Sequence, residues 1–303
     1  MRKFFTISAI VFLCYTVIMI HAAESQTALP MVTVGVHYLD VEKYQPAGFY
    51  MASAMSMISG LSFALPYYGG NLSIFEGPKE AYENHIFKPD EEMFEERRID
   101  PSRPMVALTF DDGPGENTLL ILEILKKYDA LATFFVIGNR VESRAHIVSQ
   151  TFDAGHEILG HSWSHRRLTA LSRVEIRNEI LRTNAVIEAV TGVAPNMMRA
   201  PFGLVDRRVQ NIAAELDVAI INWSVDTLDW RSRNADAVYR IIMDNVHDRA
   251  IILCHDIHFS TAEAMERVIP SLIAQGYQLV TVSELMYYSG KILEPGQVYR
   301  CGR

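Results

Sequence analysis

After Pro104, short apolar segments with the composition of β-strands alternate with segments in which apolar residues recur at helical spacing. Strands joined by helices pair in parallel, because a parallel connection has to cross over the sheet. The chain contains about seven such strand–helix units, close to the number that closes a barrel. The alternation therefore predicts an α/β fold in which a parallel sheet curls toward a barrel.

Local signals predict where several of these elements begin and end. Ser172 and Glu175 form a capping box that predicts a long helix ending at Thr191, with Gly192 as its stop. Ser283 is expected to cap a short last helix. The strands are predicted at residues 105–110, 132–137, 157–159, 196–198, 218–223, 250–253 and 278–282.

Five motifs with chemically active side chains follow these strands. They are TFDDGP at 109–114, HSWSH at 161–165, RAPFG at 199–203, DTLDW at 226–230 and LCH at 253–255. In parallel barrels the carboxyl ends of the strands form the face that holds the active site. Motifs that are distant in sequence are therefore expected to converge on one face of the domain.

The first two motifs offer ligands for a divalent metal. Asp111 and Asp112 are adjacent at a strand end, where neighbouring side chains point in roughly opposite directions, so one could bind a metal while the other faces a substrate. His161 and His165 are four residues apart, which would place both imidazoles on one side of a helical turn. Alone, these patterns also fit an ordinary turn and a surface histidine pair. Together, one carboxylate and two imidazoles suit a transition metal with open positions.

The remaining motifs offer charged partners and apolar walls. Arg199 could pair with Asp111 and keep that carboxylate ionised and oriented, or it could form an ordinary salt bridge. Asp229 and His255 could form a pair in which the carboxylate raises the histidine pKa, as a general acid near neutral pH requires. The alternatives are a capping aspartate and a core histidine.

The five motifs, in this order, make the chain resemble the NodB-homology polysaccharide deacetylases, carbohydrate esterase family 4, over roughly residues 101–282. The fold of that family is a distorted (β/α)7–8 barrel, in agreement with the alternation of strands and helices. The resemblance implies that Asp112, His161 and His165 bind one divalent metal. Zinc is the common ion in the family, and cobalt or other divalent ions are often accepted.

The resemblance also implies a catalytic role for four residues. Asp111 would be the general base that activates the attacking water, and Arg199 would hold it. His255 would protonate the leaving amine, and Asp229 would tune the pKa of His255.

Three further residues would contact the acetyl group. The backbone N–H of Phe202 would stabilise the oxyanion, and Trp230 and Leu253 would line the pocket for the acetyl methyl group. The chain departs from the family where it has Arg-Ala-Pro-Phe instead of the common Arg-Pro-Pro-Tyr, so Phe202 lacks a hydroxyl but keeps its N–H. Cys254 replaces the usual aliphatic residue and is expected to point away from the site.

The implied function is metal-dependent removal of acetyl groups from N-acetylglucosamine residues of a cell-surface polysaccharide, with peptidoglycan as the first candidate and a chitin-like polymer as the second. Two alternatives stay open: an O-acetyl esterase of the xylan type and a non-catalytic glycan-binding domain. The presence of all the proposed catalytic residues argues against the second alternative. The net charge of −8 without a basic run excludes the usual nucleic-acid binders. The chain also lacks the glycine-rich motifs of nucleotide sites.

The N-terminus has the pattern of a targeting segment. Arg2 and Lys3 precede an apolar run at residues 4–20, and small residues follow, so residues 1–23 are a cleaved signal peptide or a retained membrane tether. Both place the protein outside the cytoplasmic membrane, secreted or anchored to its outer face. Residues 24–100 form an extension without an interpretable motif. Its apolar stretch at 49–65 is expected to be a packed helix, with a membrane-associated helix as the alternative.

Some cysteines and histidines are expected to lie outside the site. Pairing of Cys254 with Cys301 stays open, and two exported cysteines are too few for a disulfide scaffold. His146 and His156 are expected at the surface. His258 is expected outside the catalytic set.

Overall fold

The computed structural model describes residues 99–303. The predicted signal peptide or tether, the apolar stretch at 49–65 and nearly all of the extension lie outside the described residues. Between residues 99 and 303, no helix combines the length and apolar character that a bilayer span requires.

Strands and helices alternate along the described chain, as predicted. Its strands are β1 (Met105–Asp111), β2 (Thr133–Val136), β3 (Glu157–Gly160), β4 (Met197–Met198), β5 (Ala219–Ile221), β6 (Val225–Asp226), β7 (Ala250–His255), β8 (Gln278–Leu279) and β9 (Val298–Tyr299). Its α-helices are α1 (Glu116–Lys127), α2 (Gly138–Ser143), α3 (Ala145–Asp153), α4 (Arg173–Thr191), α5 (Arg207–Glu215), α6 (Asp229–Ser232), α7 (Ala235–Asn245), α8 (Phe259–Ala274) and α9 (Val282–Tyr288).

The strands form one parallel sheet. Its order is β6-β7-β1-β2-β3-β4-β5-β9, and β8 pairs with the first two residues of β1. The strand order runs from β6 to β9, and the sheet curls into a half-barrel. This confirms the expected distorted barrel. The described residues form nine strands where the sequence pattern predicts seven, because the predicted strand at 218–223 is represented by the shorter β5 and because β6 and β9 were not predicted.

Strand β1 lies in the middle of the sheet and is buried along its whole length. Val106 and Phe110 pack on one face with residues of α1 and α8, whereas Met105 and Ala107 pack on the opposite face with residues of α9. Side chains alternate along a strand, so Asp111 emerges at the carboxyl end on the same face as Met105 and Ala107. The alternation within a buried strand therefore decides which way the first acidic side chain of the site points.

The predicted start of α4 is confirmed and that of α9 is wrong. Ser172 and Glu175 form the capping box of α4, and Gly192 ends that helix with a φ of 75°. Thr281 caps α9, because its hydroxyl accepts the N–H of Glu284 while the Glu284 carboxylate accepts the N–H of Thr281. Ser283 therefore lies within α9, and its hydroxyl donates to Glu157 instead of capping the helix.

Candidate metal centre

Three side chains in the described part of the chain form a group that could hold a metal ion. They are Asp112, His161 and His165, and one ligand atom from each lies within 4.8 Å of the others. Asp112 Oδ1 lies 3.2 Å from His165 Nε2 and 3.6 Å from His161 Nε2. The residues that the first two motifs offered as ligands are therefore brought together.

The donor atoms of this group fit a divalent transition metal. Asp112 Oδ1 is buried and accepts no hydrogen bond, which costs about 1–3 kcal/mol if nothing positive faces it. His161 Nδ1 lies 2.8 Å from the carbonyl oxygen of Arg199 and must donate to it, which leaves Nε2 with a free lone pair. Burial lowers the pKa of His161 to about 3, although Asp112 opposes the shift, so this imidazole is neutral near pH 7.

The two histidines converge through a loop and not through a helical turn. The segment 161–165, here called the ligand loop, follows the end of β3 and contains no helical residue. Ser162 and His165 have φ values of 63° and 57°, which reverse the chain and bring the two imidazole rings to 5.0 Å between centroids. The helical prediction was wrong because spacing alone does not reveal left-handed conformations at residues other than glycine.

The two adjacent aspartates approach the same imidazole. Asp111 Oδ2 and Asp112 Oδ1 each lie 3.6 Å from His161 Nε2. The expectation that they point in opposite directions assumed an extended strand, but Asp112 has a φ of 73° and leaves the strand alternation. Both carboxylates therefore face one small region at the end of β1.

Arg199 is fully buried and bonded to Asp111. Its Nη1 donates to Asp111 Oδ1 at 2.6 Å and to Thr109 Oγ1 at 2.8 Å. Its Nε and Nη2 donate to the carbonyl oxygens of Ile221 and Asn222 at 3.0 and 3.2 Å. Burial raises the pKa of Asp111, and the Arg199 guanidinium opposes that shift.

His255 and Asp229 form a second pair, in which Asp229 is buried and His255 is partly exposed. His255 Nδ1 donates to Asp229 Oδ1 at 2.7 Å, and Asp229 Oδ2 accepts the backbone N–H of His255 and the hydroxyl of Thr261, both at 2.7 Å. Burial alone would lower the pKa of His255, but the hydrogen bond and charge of Asp229 raise it to about 9. The pKa of Asp229 is lowered, because its hydrogen bonds outweigh the effect of burial.

The pairing of β1 with β7 brings this histidine to the metal centre. The two strands are parallel, and Asp111 pairs in register with His255, while Thr109 pairs with Leu253. Residues of the first and last motifs thus meet at the carboxyl ends of neighbouring strands, where the barrel geometry predicts the active face.

The three residues expected to contact an acetyl group lie around this centre. Phe202 has a φ of 62°, is 57% exposed, and its ring lies 4.8 Å from that of His165. Trp230 is 49% exposed and follows Asp229, whose carboxylate accepts its backbone N–H at 2.8 Å. Leu253 is buried in β7. Two aromatic rings are therefore open to solvent next to the candidate ligands and the second ion pair.

One of the three histidines expected outside the site does not lie where the sequence predicts. His156 is buried. Its ring lies 5.6 Å from that of Phe134, and its Nδ1 accepts the N–H of Ala132 at 3.3 Å. The expectation of a surface position was therefore wrong. His146 is exposed, as expected, and His258 is buried with its ring 6.0 Å from that of His255.

Cys254 points away from the site, as expected. It packs with Phe110 on the side of the sheet covered by α1 and α8. Both Cys254 and Cys301 are free thiols.

Sequence analysis missed two buried carboxylates that contact the loops of the site. Glu179 on α4 binds Ser164 of the ligand loop. Asp256 Oδ2 accepts the hydroxyl of Thr118 at 2.5 Å, and burial raises the pKa of Asp256 to about 7. The position of Asp256 next to His255 could have drawn attention to it. No sequence signal marks Glu179, which looks like any other acidic residue of a long helix.

Comparisons with known proteins identify relatives of this domain. The family model described as "Polysaccharide deacetylase" matches residues 98–221. The chain is 41% identical over 195 residues to the peptidoglycan-N-acetylglucosamine deacetylase PgdA of Listeria monocytogenes serotype 1/2a, covering 64% of this chain and 41% of that protein. It is 40% identical over 202 residues to the peptidoglycan-N-acetylmuramic acid deacetylase PdaC of Bacillus subtilis, covering 65% and 43%. The chain thus spans about two fifths of the length of these relatives.

Solved structures are similar over almost their whole length. The structure of PdaC from Bacillus subtilis superposes with a TM-score of 0.61 at 38% identity, covering 63% of this chain and 94% of that one. A family 4 acetyl xylan esterase from Clostridium thermocellum, in complex with a cobalt ion, gives a TM-score of 0.62 at 36% identity, covering 65% and 98%.

Proposed function

The chain belongs to the polysaccharide deacetylases of carbohydrate esterase family 4, and we propose that it is a metal-dependent hydrolase that removes acetyl groups from N-acetylglucosamine residues of a cell-surface polysaccharide. The observation that carries this proposal is the joint presence of the buried ion pair Asp111–Arg199 and the partly buried pair His255–Asp229 beside a candidate metal centre. Peptidoglycan is the first candidate substrate, because the names of PgdA and PdaC refer to it. A chitin-like polymer is the second.

Asp112, His161 and His165 would hold the ion. Two imidazole nitrogens and one carboxylate oxygen are typical of catalytic zinc sites, so zinc is the first candidate and cobalt the second, given the cobalt complex of the esterase. When bound, such an ion acidifies water and polarises a carbonyl group.

Asp111 is assigned as the general base. A buried carboxylate with a raised pKa accepts a proton from water more readily than an exposed one does. Its hydrogen bond from Arg199 fixes one carboxylate oxygen and leaves the other directed toward His161. The base can therefore take a proton without losing its orientation.

His255 is assigned as the general acid that protonates the leaving amine. Its Nδ1 proton is engaged by Asp229, so the proton available for transfer is the one on Nε2. A pKa of about 9 keeps the imidazole protonated near pH 7. This matters because an amine leaves readily only after its nitrogen has accepted a proton.

Three residues are assigned to the acetyl group itself. The backbone N–H of Phe202 would donate to the developing oxyanion, a kind of contact that typically contributes strongly to rate. Trp230 and Leu253 would surround the methyl group.

We assign the protein to the outside of the cytoplasmic membrane, secreted or tethered through residues 4–20. The basic residues Arg2 and Lys3 before that apolar run support export, and a cell-wall polymer would be reached only there.

Removal of O-acetyl groups from a xylan-type polymer is the second candidate function. The similarity to an acetyl xylan esterase favours it, and cleavage of esters and amides can use the same residues. A non-catalytic glycan-binding domain is less well supported, because every residue needed for chemistry is present.

Acetate release by the purified chain tests these alternatives. We expect release from peptidoglycan or chitin oligomers that a chelator stops and added zinc restores. Release from acetylxylan alone would support the esterase. Absence of release from all three substrates, with zinc bound, would contradict both enzyme proposals.

A further inference from the structure

The ligand loop is fastened to helix α4 by one buried carboxylate. Glu179 is 7% exposed, and both of its oxygens accept hydrogen bonds from Ser164. The backbone N–H of Ser164 donates to Oε2 at 2.8 Å, and its hydroxyl donates to Oε1 at 2.6 Å. Ser164 directly precedes His165, so the contact acts on the backbone that carries a candidate ligand.

The ligand loop has a conformation that requires support. Ser162 and His165 are both left-handed, and such conformations cost about 1–3 kcal/mol each outside glycine and persist only when the surroundings impose them. On one side, the N–H groups of Gly138 and Asn139 donate to the carbonyl oxygens of Ser162 and Trp163, both at 3.0 Å. These bonds fix the first half of the loop.

Helix α4 fixes the second half. Besides the two bonds from Ser164 to Glu179, the guanidinium of Arg182 lies 3.8 Å from the centre of the Trp163 ring. Glu179 and Arg182 are three residues apart and therefore lie on the same side of the helix. This side of α4 contacts two consecutive loop residues between the candidate ligands.

We propose that Glu179 is a positioning residue for the metal site, which acts through Ser164 to hold His165 at the distance from His161 and Asp112 that a metal ion requires. Glu179 would not itself touch the ion. A ligand held in place before binding loses less freedom when the ion arrives, and residues that orient ligands in this way typically contribute 10–100-fold to metal affinity. The proposal deepens the proposed function and shares with it only the assignment of the metal ligands.

Zinc affinity separates this role from a merely structural one. We would compare the wild-type full-length chain with Glu179→Ala, Glu179→Gln, Ser164→Ala and the control Glu188→Ala, which removes an exposed carboxylate from the same helix. The zinc Kd is measured by competition with a chromophoric chelator, and the Tm of the metal-free protein reports on folding.

Glu179→Ala is expected to weaken zinc binding by about 10–100-fold. Glu179→Gln is expected to stay within about fivefold of wild type, because its amide can accept one bond from Ser164 and donate to the Ser164 hydroxyl. Ser164→Ala should weaken binding less than Glu179→Ala, and combining the two changes should add little, since they remove the same contact. Glu188→Ala should bind zinc like wild type.

A folded Glu179→Ala protein with wild-type zinc affinity would overturn the proposal, and so would equal losses for the alanine and glutamine variants. If Glu179→Ala does not fold, the test rests on Ser164→Ala. Wild-type zinc affinity in Ser164→Ala would then overturn the proposal. These outcomes are independent of acetate release. A large effect of Glu179→Ala on the zinc Kd in a chain that releases no acetate would contradict the proposed function and still support the positioning role.

Discussion

One buried and one partly buried ion pair define the candidate site at the scale of single residues. Asp111 is 3% exposed and Asp229 is fully buried, and each is bonded to a cationic partner. Removing one member of a buried pair leaves the other charge without compensation, which is strongly destabilising. Variants that keep the shape and hydrogen bonding of the side chain therefore test function more cleanly than truncations.

Asp111→Asn should reduce the turnover number by about 10²–10⁴-fold, because the amide cannot accept a proton from water. The amide oxygen can still accept from Arg199, so folding should be preserved. Zinc affinity should change little, in contrast to Asp112→Asn, which removes an assigned ligand. Acetate release and the zinc Kd measure the two effects. Wild-type turnover in Asp111→Asn would show that the base is another group.

Asp229→Asn should move the alkaline limb of the kcat profile to lower pH by about one unit or more. If His255 is the acid, as assigned, it works in its protonated form, so activity should be lost as pH rises through the His255 pKa. Asp229 raises that pKa to about 9, and without its charge burial lowers it. The loss of activity should therefore begin at lower pH.

The matched control is Asp226→Asn in the same motif, which keeps an oxygen to accept the N–H of Leu228. Its alkaline limb should match that of wild type. An unshifted limb in Asp229→Asn would mean that His255 is not the acid or that Asp229 does not tune it.

At the scale of elements, the amino end of the sheet is held together by Glu157. This first residue of β3 accepts the Thr133 hydroxyl at 2.7 Å and the backbone N–H of Val282 at 3.1 Å, and it also accepts the Ser283 hydroxyl. It thereby joins β2, β3 and the start of α9 at the end of the sheet opposite the motifs. In barrels of this type, that end contributes to stability and not to chemistry.

Glu157→Ala should lower the free energy of unfolding by about 1–3 kcal/mol, because several buried donors lose their acceptor. Turnover and zinc affinity of the folded protein should be unchanged. Urea denaturation measures the change, with Glu142→Ala, an exposed position, as the control expected within about 0.5 kcal/mol of wild type. Equal stability of the two variants would show that the Glu157 contacts contribute nothing.

Helices and strands were predictable from the sequence where the spacing of apolar residues or a local end signal determines them. Buried parallel strands such as β1 and β7 appear as apolar runs, and α4 has both of its end signals in the local sequence. The conformations of Asp112, Ser162 and His165 were not predictable. Their positive φ values occur at residues other than glycine, where the local sequence gives no signal for a left-handed conformation.

At the scale of the whole molecule, parallel topology explains why the five motifs meet. All strands run in one direction, so the loops after β1, β3, β4, β6 and β7 open on the same face. The identity of each motif residue was readable from the sequence, and the resemblance implied its role. The distances between them depend on sheet order and register, such as the pairing of Asp111 with His255.

A metal that binds only the folded arrangement should stabilise the whole domain. Zinc at a hundred times its Kd should add about 2.7 kcal/mol to the free energy of unfolding, because the ligands come from loops after two different strands. A chelator should therefore lower the Tm and excess zinc restore it. Asp112→Asn should show little of this response, and a full zinc-dependent Tm shift in that variant would refute the ligand assignment.

The anchoring of Arg199 has a consequence for the order in which the site can be assembled. All three candidate ligands lie before residue 166, but the guanidinium that orients Asp111 is held by the carbonyl oxygens of Ile221 and Asn222. His255 comes later still, on β7. During synthesis the candidate ligands therefore emerge first, then the anchor of Arg199, and last the residue assigned as the acid. A nascent chain that ends before β5 would carry all three candidate ligands but neither the carbonyl groups that hold Arg199 nor the pair formed by Asp229 and His255.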